Sequence, residues 1–115
     1  MITGFHHFAI IASSEESIAF YRRLGFLEIS RINRDYDTVV VLEGYGLELE
    51  VFIDPKHPAR PCNPECFGIR HLALQVDDVE KIAQEFDCGP IQKDWFDEKY
   101  CFTKDPDGLT IEFHE

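Results

Sequence analysis

Hydrophobic and polar positions alternate most clearly near the end of the chain, over residues 109–113. Leu109, Ile111 and Phe113 share one face of this stretch, and Thr110 and Glu112 share the other. Alternation with a period of two predicts a strand that has one buried face. The preceding Asp-Pro-Asp-Gly segment, residues 105–108, is typical of a tight turn. The pattern therefore predicts a well-ordered closing strand on which Glu112 points away from the apolar layer.

Similar patterns predict two successions of one strand, one helix and three further strands. The first helix is expected to start at a capping box formed by Ser13 and Glu16 and to stop at Gly25. The second is expected to start at Asp77-Asp78 and to stop at Gly89. The predicted strands are residues 5–12, 26–33, 38–42 and 47–53 in the first succession, and 69–76, 91–96, 99–104 and 109–113 in the second.

The two successions also repeat each other in sequence. G-L-E-L-E-V at 46–51 is echoed by G-L-T-I-E-F at 108–113, which places Glu50 and Glu112 62 residues apart. H-F-A-I at 7–10 is echoed by H-L-A-L at 71–74, which places His7 and His71 64 residues apart. An internal repeat of this kind indicates two copies of one structural unit. Each copy contributes one histidine at its first strand and one glutamate on its last.

These elements predict an α+β fold, and 115 residues correspond to a single domain. The first module is expected at about residues 4–54 and the second at 68–115, joined by a linker at 55–67. Four of the six prolines lie between residues 54 and 67, and no regular element is expected at that density of proline.

The chain is strongly acidic, with a formal net charge of −11. Nucleic acid binding requires a basic surface, so the charge argues against a nucleic-acid partner. No stretch approaches the roughly 18 apolar residues of a membrane span, and no secretory signal pattern is visible. We therefore expect a cytoplasmic protein with reduced cysteines and no membrane partner. Cys62 and Cys66 have the spacing of half a zinc motif, but no second paired motif completes it.

Strand alternation places four chemically capable side chains on the face opposite the apolar layer. These are His7 and Glu50 in the first copy, and His71 and Glu112 in the second. Two imidazoles and two carboxylates suit a divalent metal such as nickel, zinc, cobalt, manganese or iron(II). A lone histidine on a strand is more often a hydrogen-bonded structural residue, but the matched positions in a repeat favour a metal site.

Two of these positions have a neighbouring alternative. His6 adjoins His7, and Glu48 shares a strand face with Glu50. Alternation and the match between the copies favour His7 and Glu50 as ligands.

Five pieces of the chain carry a resemblance to a known family. They are H-H-F-A-I-I-A (6–12), S-I-A-F-Y-R-R-L-G-F (17–26), L-E-L-E-V-F (47–52), G-I-R-H-L-A-L-Q-V-D-D-V (68–79) and D-P-D-G-L-T-I-E-F (105–113). On these motifs the chain resembles the vicinal oxygen chelate superfamily, and within it the short bacterial glyoxalase-I-like proteins. The resemblance implies two βαβββ modules that form a curved mixed sheet around one divalent metal per site. Carried over by position, the implied ligands are His7, Glu50, His71 and Glu112.

The resemblance also implies a reaction, that of a metal-dependent lyase similar to lactoylglutathione lyase. A thiol and a 2-oxoaldehyde form a hemithioacetal, and Glu112 or Glu50 would move a proton from C1 to C2 by way of an enediolate. The alternatives are an epimerase, a dioxygenase or a thiol transferase of the same superfamily, or a non-catalytic small-molecule binding module. The dioxygenases and thiol transferases of this superfamily are expected to hold their metal with three protein ligands. A fourth candidate ligand at Glu50 therefore argues against these two reactions.

The substrate pocket is harder to predict. Arg70 and Arg60 are candidates to bind a substrate carboxylate, although each is more often a surface charge. Trp95, Phe96 and Phe102 are expected to pack in the core in preference to lining a pocket. Family members often form homodimers, so the expected partners are a small-molecule substrate and a second copy of the chain.

Overall fold

The structure is a computed structural model that describes residues 1–61 and 64–115. Cys62 and Asn63 lie outside the described residues, so the structure does not test the spacing of Cys62 and Cys66, and the predicted linker 55–67 stays a prediction. The described residues form two compact units, Met1–Ala59 and Arg60–Glu115. Neither of the described helices is long and apolar enough to cross a membrane.

Each unit contains one strand, one helix and then three strands. The first unit has β1 at Phe8–Ala12, α1 at Glu16–Arg23, β2 at Leu27–Asn33, β3 at Thr38–Gly44 and β4 at Leu47–Ile53. The second has β5 at Leu72–Gln75, α2 at Val79–Glu85, β6 at Gln92–Lys93, β7 at Lys99–Lys104 and β8 at Thr110–His114. The predicted α+β class with two βαβββ modules is confirmed.

Both units have the same sheet topology. The strand order is β1-β4-β3-β2 in the first unit and β5-β8-β7-β6 in the second. The first and last strands of each unit pair in parallel, and the other neighbours pair antiparallel. This order brings the first and last strands side by side, so a residue at the start of one strand can meet a residue on the other.

Alternation on the last strand of each unit decides which side chains are buried. Leu49 and Val51 in β4 are fully buried, as is Ile111 in β8, and Phe113 is 1% exposed. Burying such a side chain contributes roughly 1.5–3 kcal/mol to the stability of the fold. This burial also fixes the register of the strand and so decides which of its faces is buried. The intervening Glu50 and Glu112 therefore stand on the opposite face of their sheets.

Helix α1 stops where the sequence predicts it but begins later. Gly25 takes a φ of +108°, its N–H donates to the carbonyl of Arg22 at 3.0 Å, and the Phe26 N–H donates to the carbonyl of Tyr21 at 3.1 Å. These two bonds form a Schellman end that favours glycine. The helix begins at Glu16 after an N-cap at Glu15 that has no side-chain cap bond, so the predicted capping box is wrong.

Helix α2 starts as predicted and stops earlier. The Asp78 carboxylate accepts a hydrogen bond from the Lys81 N–H at 3.1 Å, as an N-cap residue does. At the other end Asp87 takes a left-handed conformation, with a φ of +49°, two residues before Gly89, where we predicted that the helix stops. The Cys88 N–H then reaches the carbonyl of Ala83 at 2.9 Å. Aspartate tolerates this conformation better than most residues, so glycine is not required.

The predicted strand at 91–96 is mostly a turn. The Asp94 carboxylate accepts hydrogen bonds from the N–H groups of Phe96 at 2.8 Å and Glu98 at 3.0 Å, and these bonds curl the chain after Lys93. Trp95 and Phe96 lie in the turn and are 88% and 74% exposed. The expectation that these two rings pack in the core was wrong.

Candidate metal centre

The first unit brings a histidine and a glutamate together on its solvent-facing sheet face. His7 immediately precedes β1, and Glu50 lies in β4 opposite Ala9 of the parallel ladder. The distance from His7 Nδ1 to Glu50 Oε2 is 3.4 Å. The side chain of Ala9 is a single methyl group, which leaves space beside the carboxylate. Both ligand candidates are part-exposed, so a small ligand can reach them from solvent.

The second unit repeats this arrangement. His71 immediately precedes β5, and Glu112 lies in β8 opposite Ala73. The distance from His71 Nε2 to Glu112 Oε1 is 3.7 Å. The imidazole also lies against Phe102, with 5.7 Å between the ring centroids. Thus the two glutamates occupy the same register position in two copies of one sheet.

The turn before β8 sets the register that places Glu112. The Asp105 side chain is buried, and its Oδ1 accepts hydrogen bonds from the N–H groups of Asp107 and Leu109, both at 2.9 Å. Gly108 takes the φ of +89° that the turn requires. The Asp105 N–H also donates to the Leu109 carbonyl at 2.8 Å, which closes the turn on the start of the strand.

His6 adds a contact that strand alternation did not indicate. Its Nδ1 lies 2.8 Å from Nδ1 of His7, so one ring donates a hydrogen bond to the other. Ligand atoms of His6, His7 and Glu50 all lie within 4.8 Å of one another. Adjacent histidines on an extended strand point to opposite faces, but these residues precede β1 and are free of that constraint.

The donor atoms of both pairs fit a divalent metal. Two ligands bound to one ion at about 2.1 Å lie about 3.0–3.4 Å apart in octahedral or tetrahedral geometry. The observed separations of 3.4 Å and 3.7 Å would need little contraction. Mixed imidazole and carboxylate ligands suit several transition metals, and the carboxylates would offset the charge of the ion.

Asp94, Glu98 and His114 form a second cluster of metal-ligand type. Nδ1 of His114 donates to the Glu115 carbonyl at 2.7 Å, and Nε2 donates to the Asp94 carboxylate at 2.9 Å. The Glu115 carbonyl and then Asp94 raise the pKa of His114, because both bonds favour the protonated ring. The two bonds occupy both ring nitrogens of His114, and the bond to Asp94 links β8 to the β6–β7 turn.

A cavity of about 610 Å³ opens beside His71 in the second unit. Both arginines that we predicted as substrate-binding residues, Arg60 and Arg70, line it. Nε and Nη2 of Arg70 donate to the Glu65 carboxylate at 2.6 Å and 3.1 Å. This pairing lowers the pKa of Glu65 and raises the pKa of Arg70.

Lys104 also lines this cavity, and our sequence reasoning missed it. The signal was present: Tyr100, Phe102 and Lys104 alternate along β7 and share a face. Each of them pairs across the ladder with a residue of the Glu112 face in β8.

The βαβββ fold agrees with the family that the chain matches in sequence. A family model described as the Glyoxalase/Bleomycin resistance protein/Dioxygenase superfamily matches residues 4–113. The chain belongs to this superfamily. The resemblance seen in the sequence motifs is thereby confirmed.

Two bacterial relatives within the Glyoxalase/Bleomycin resistance protein/Dioxygenase superfamily are similar over nearly their whole length. The uncharacterized protein YwkD of Bacillus subtilis (strain 168) is 38% identical over 128 residues, which cover 100% of this chain and 98% of YwkD. The uncharacterized protein YaeR of Escherichia coli (strain K12) is 38% identical over 122 residues, which cover 96% of this chain and 94% of YaeR.

Solved structures of the superfamily share the fold. A glyoxalase family protein from Enterococcus faecalis has a TM-score of 0.86 at 36% identity, covering 97% of each chain. The trypanothione-dependent glyoxalase I of Leishmania major has a TM-score of 0.70 at 28% identity, covering 95% of this chain and 84% of that one. A FosX variant from Listeria monocytogenes, solved with Mn(II), has a TM-score of 0.72 at 18% identity, covering 99% and 93%, and shows likeness of fold alone. The chain thus shares its fold with an enzyme, the Leishmania major glyoxalase I, and with a protein solved with Mn(II).

Proposed function

We propose that this protein is a metal-dependent lyase of the glyoxalase I type, which isomerises the hemithioacetal of a 2-oxoaldehyde. One observation carries the proposal: each unit holds a histidine and a glutamate at the same register position, 3.4 Å and 3.7 Å apart. The fold of the sheet alone does not require a His–Glu pair in one unit, and it does not require the same pair in both units. Similarity to the Leishmania major glyoxalase I supports this choice of reaction.

In this proposal His7, Glu50, His71 and Glu112 are the ligands of a divalent metal. The metal, when bound, supplies a Lewis acid that polarises oxygen atoms of the substrate. The choice among nickel, zinc, cobalt, manganese and iron is left to measurement, since all accept this mixture of nitrogen and oxygen ligands.

A glutamate carboxylate performs the proton transfer. It takes the proton from C1 of the hemithioacetal, which leaves an enediolate, and returns a proton to C2 to give an α-hydroxy thioester. No oxidant or further reactant is consumed. We assign this role to Glu112, with Glu50 as the alternative, because the side chain of Glu112 is 14% exposed and that of Glu50 is 22% exposed. A less exposed carboxylate has less water to displace before a substrate carbon can approach it.

The neighbours of Glu112 suit this role. Phe102 stands opposite Glu112 in the β7–β8 ladder and lies against His71. Its ring excludes water from one side of the pair, which strengthens electrostatic interactions there. Ala73, on the other flank, leaves the space that a substrate carbon needs to approach the carboxylate.

Elemental analysis of the purified protein, combined with an isomerisation assay, tests the proposal. Methylglyoxal is mixed with several thiols, and thioester formation is followed after adding Ni(II), Co(II), Zn(II) or Mn(II). We expect bound divalent metal and turnover with at least one pairing of metal and thiol. Bound metal without turnover of any hemithioacetal would contradict the lyase and favour an epimerase or another superfamily reaction. Absence of bound metal would favour a binding module.

We also propose that the protein acts as a homodimer. Sedimentation gives the number of chains per particle, and the metal content per chain then gives the number of ions per dimer. One ion per chain is the expected result, since each chain carries one complete set of four ligands. A monomer with full activity would contradict the dimer without affecting the lyase.

A further inference from the structure

The first unit brings a third side chain of metal-ligand type to its His–Glu pair. Nδ1 of His6 lies 2.8 Å from Nδ1 of His7, which in turn lies 3.4 Å from Oε2 of Glu50. Two ligands bound to one ion at about 2.1 Å and at a right angle lie about 3.0 Å apart. The three donor atoms therefore stand close to the separations that a single ion would impose on them.

The orientation of the two imidazoles suits a shared ion. Their ring centroids are 5.1 Å apart and their planes cross at 82°. The lone pair of an imidazole nitrogen lies in the plane of its ring, so two nearly perpendicular rings can direct their lone pairs at one point without overlapping. Both histidines are exposed and precede β1, so the alternation of a strand does not force them onto opposite faces.

One ring nitrogen distinguishes a ligand from a residue that only orients a ligand. A histidine that orients a metal-bound histidine bonds to the ring nitrogen that is not on the metal. In this unit the nitrogen of His7 that faces Glu50 is the same Nδ1 that faces His6. Once bound to a metal, that nitrogen has neither a proton nor a lone pair left for His6. The geometry therefore favours His6 as a further ligand.

The second unit differs at the matching position. Arg70 follows His6 by 64 residues, which is the offset that separates His7 from His71. A guanidinium group has no lone pair to offer a metal, and that of Arg70 is bound to Glu65 by two hydrogen bonds of 2.6 Å and 3.1 Å. At this position, then, the first unit has a third ligand and the second unit has none.

The charge around the three side chains of the first unit also favours a cation. Glu43 and Glu48 are partners in the β3–β4 ladder, and Glu48 lies two residues before Glu50 on the same face of β4. Like charges directly opposite each other in a sheet are destabilising. A bound divalent ion would be the largest local charge on this face and would offset that repulsion.

We propose that the first unit forms a three-ligand site for a divalent metal from His6, His7 and Glu50, and that this site holds the ion without the second unit. The inference rests on the proposed function in taking His7 and Glu50 as ligands, and it adds His6 to them. It also gives the two units different tasks. Because the first unit retains the ion, the carboxylate of Glu112 can take and return a proton without loss of the metal.

Calorimetric titration of the metal-stripped full chain with Co(II) tests the role of His6. His6→Ala should weaken Co(II) binding roughly tenfold or more, since even residues that only support a ligand contribute 10–100-fold to metal affinity. His57→Ala is the matched control. It removes one imidazole from the same unit at a residue that lies 3.4 Å from Asp54, outside the three-ligand group. It should bind Co(II) as the unaltered protein does.

The double variant His71→Ala/Glu112→Gln isolates the first unit within the full chain. It should still bind Co(II), and the further change His6→Ala should remove most of that binding. Pulsed EPR of bound Cu(II) counts the coordinated imidazoles, and we expect two in the double variant and one after His6→Ala. If His6 only supported His7, the count would be one in both proteins. Circular dichroism checks folding, and the single His6→Ala variant gives the result on its own if the double variant does not fold.

The outcomes separate this inference from the proposed lyase. Unchanged Co(II) affinity in His6→Ala, an equal loss in His57→Ala, or one imidazole on Cu(II) in the folded double variant would overturn the three-ligand site, even if isomerisation is observed. The expected affinities and imidazole counts, without isomerisation of any hemithioacetal, would uphold the three-ligand site and overturn the lyase.

Discussion

Glu112 lies directly opposite Ala73 in the parallel ladder of β5 and β8. The same relationship joins Glu50 to Ala9 in the first unit. In both places the smallest chiral side chain stands next to a carboxylate that points away from the core. Because the relationship depends on register, it links the stability of each sheet to the chemistry on its face.

Replacing Glu112 by glutamine should remove turnover and keep the fold. Glutamine has nearly the same shape but cannot accept a proton at neutral pH, so kcat should fall by roughly 100-fold or more. The unfolding midpoint in urea should change little, because the side chain is outside the buried core. Activity close to that of the unaltered protein would assign the proton transfer to Glu50.

Glu50 and Glu48 should differ in their effect on bound metal. The carboxylate that lies 3.4 Å from His7 is that of Glu50. Glu50→Gln should therefore reduce the metal content of the purified protein, as measured by elemental analysis, and Glu48→Gln should not. Loss of metal in Glu48→Gln alone would exchange the two assignments.

Replacing Asp105 by alanine should destabilise the second unit. The change leaves the N–H groups of Asp107 and Leu109 without their acceptor in a buried turn, which costs roughly 2–4 kcal/mol of unfolding free energy. Denaturation in urea measures the loss. Asp105→Asn retains an oxygen at the same place and serves as the control, with a smaller expected loss. An equal loss in both variants would mean that the charge, and not the acceptor oxygen, stabilises the turn.

Asp78 should contribute stability that depends on acid pH. The hydrogen bond from the Lys81 N–H, together with the charge of Lys81, lowers the pKa of Asp78 in the folded state. Its contribution is then complete above the unfolded pKa of about 3.9 and is lost as the pH falls through the lower folded value. The substitution Asp78→Asn should cap the helix about equally well without titrating, because asparagine is as good an N-cap residue as aspartate.

The comparison of the unaltered protein with Asp78→Asn isolates this effect. Urea unfolding at pH 7, 5 and 3 measures the unfolding free energy of both proteins. The difference between them should be the same at pH 7 and pH 5, and at pH 3 the unaltered protein should lose stability relative to Asp78→Asn. A difference that stays constant across all three values would rule out the contribution.

The cysteines of the second unit should differ in reactivity. Cys101 is fully buried, and burial raises the pKa of its neighbour Cys88 to about 12. Only the thiolate is alkylated, so both should resist iodoacetamide at pH 8 until the protein is unfolded. Cys66 is exposed and should react in the native protein.

Mass spectrometry after brief alkylation checks this. The experiment uses a Cys62→Ser variant, because Cys62 and Cys66 lie on the same peptide. Any alkylation found on that peptide then comes from Cys66. Rapid native labelling of Cys88 or Cys101 would show that the end of α2 opens more readily than the packed structure indicates.

Several features of the fold could be predicted because they depend on neighbouring residues. The alternation around Glu112 follows from the period of a strand, and the turn at Gly108 follows from glycine's tolerance of positive φ. The failures arose where a side chain competes with the regular pattern. The Asp94 carboxylate accepts hydrogen bonds from the N–H groups of Phe96 and Glu98 and so ends the strand predicted at 91–96 early, and Asp87 takes a left-handed conformation before the predicted helix end at Gly89.

The sequence by itself determined the two βαβββ modules and the faces on which Glu50 and Glu112 stand. Periodicity and the internal repeat can be read from the amino-acid sequence without knowledge of the tertiary structure. The tertiary structure alone decided which groups become partners. It placed His6 against His7, gave Arg70 to Glu65, and left Lys104 in the cavity without a carboxylate among the described residues. The pairing of Arg70 with Glu65 depends on the path of the loop, and the position of Lys104 depends on the register of the β7–β8 ladder. Neither can be read from the spacing of residues in the sequence.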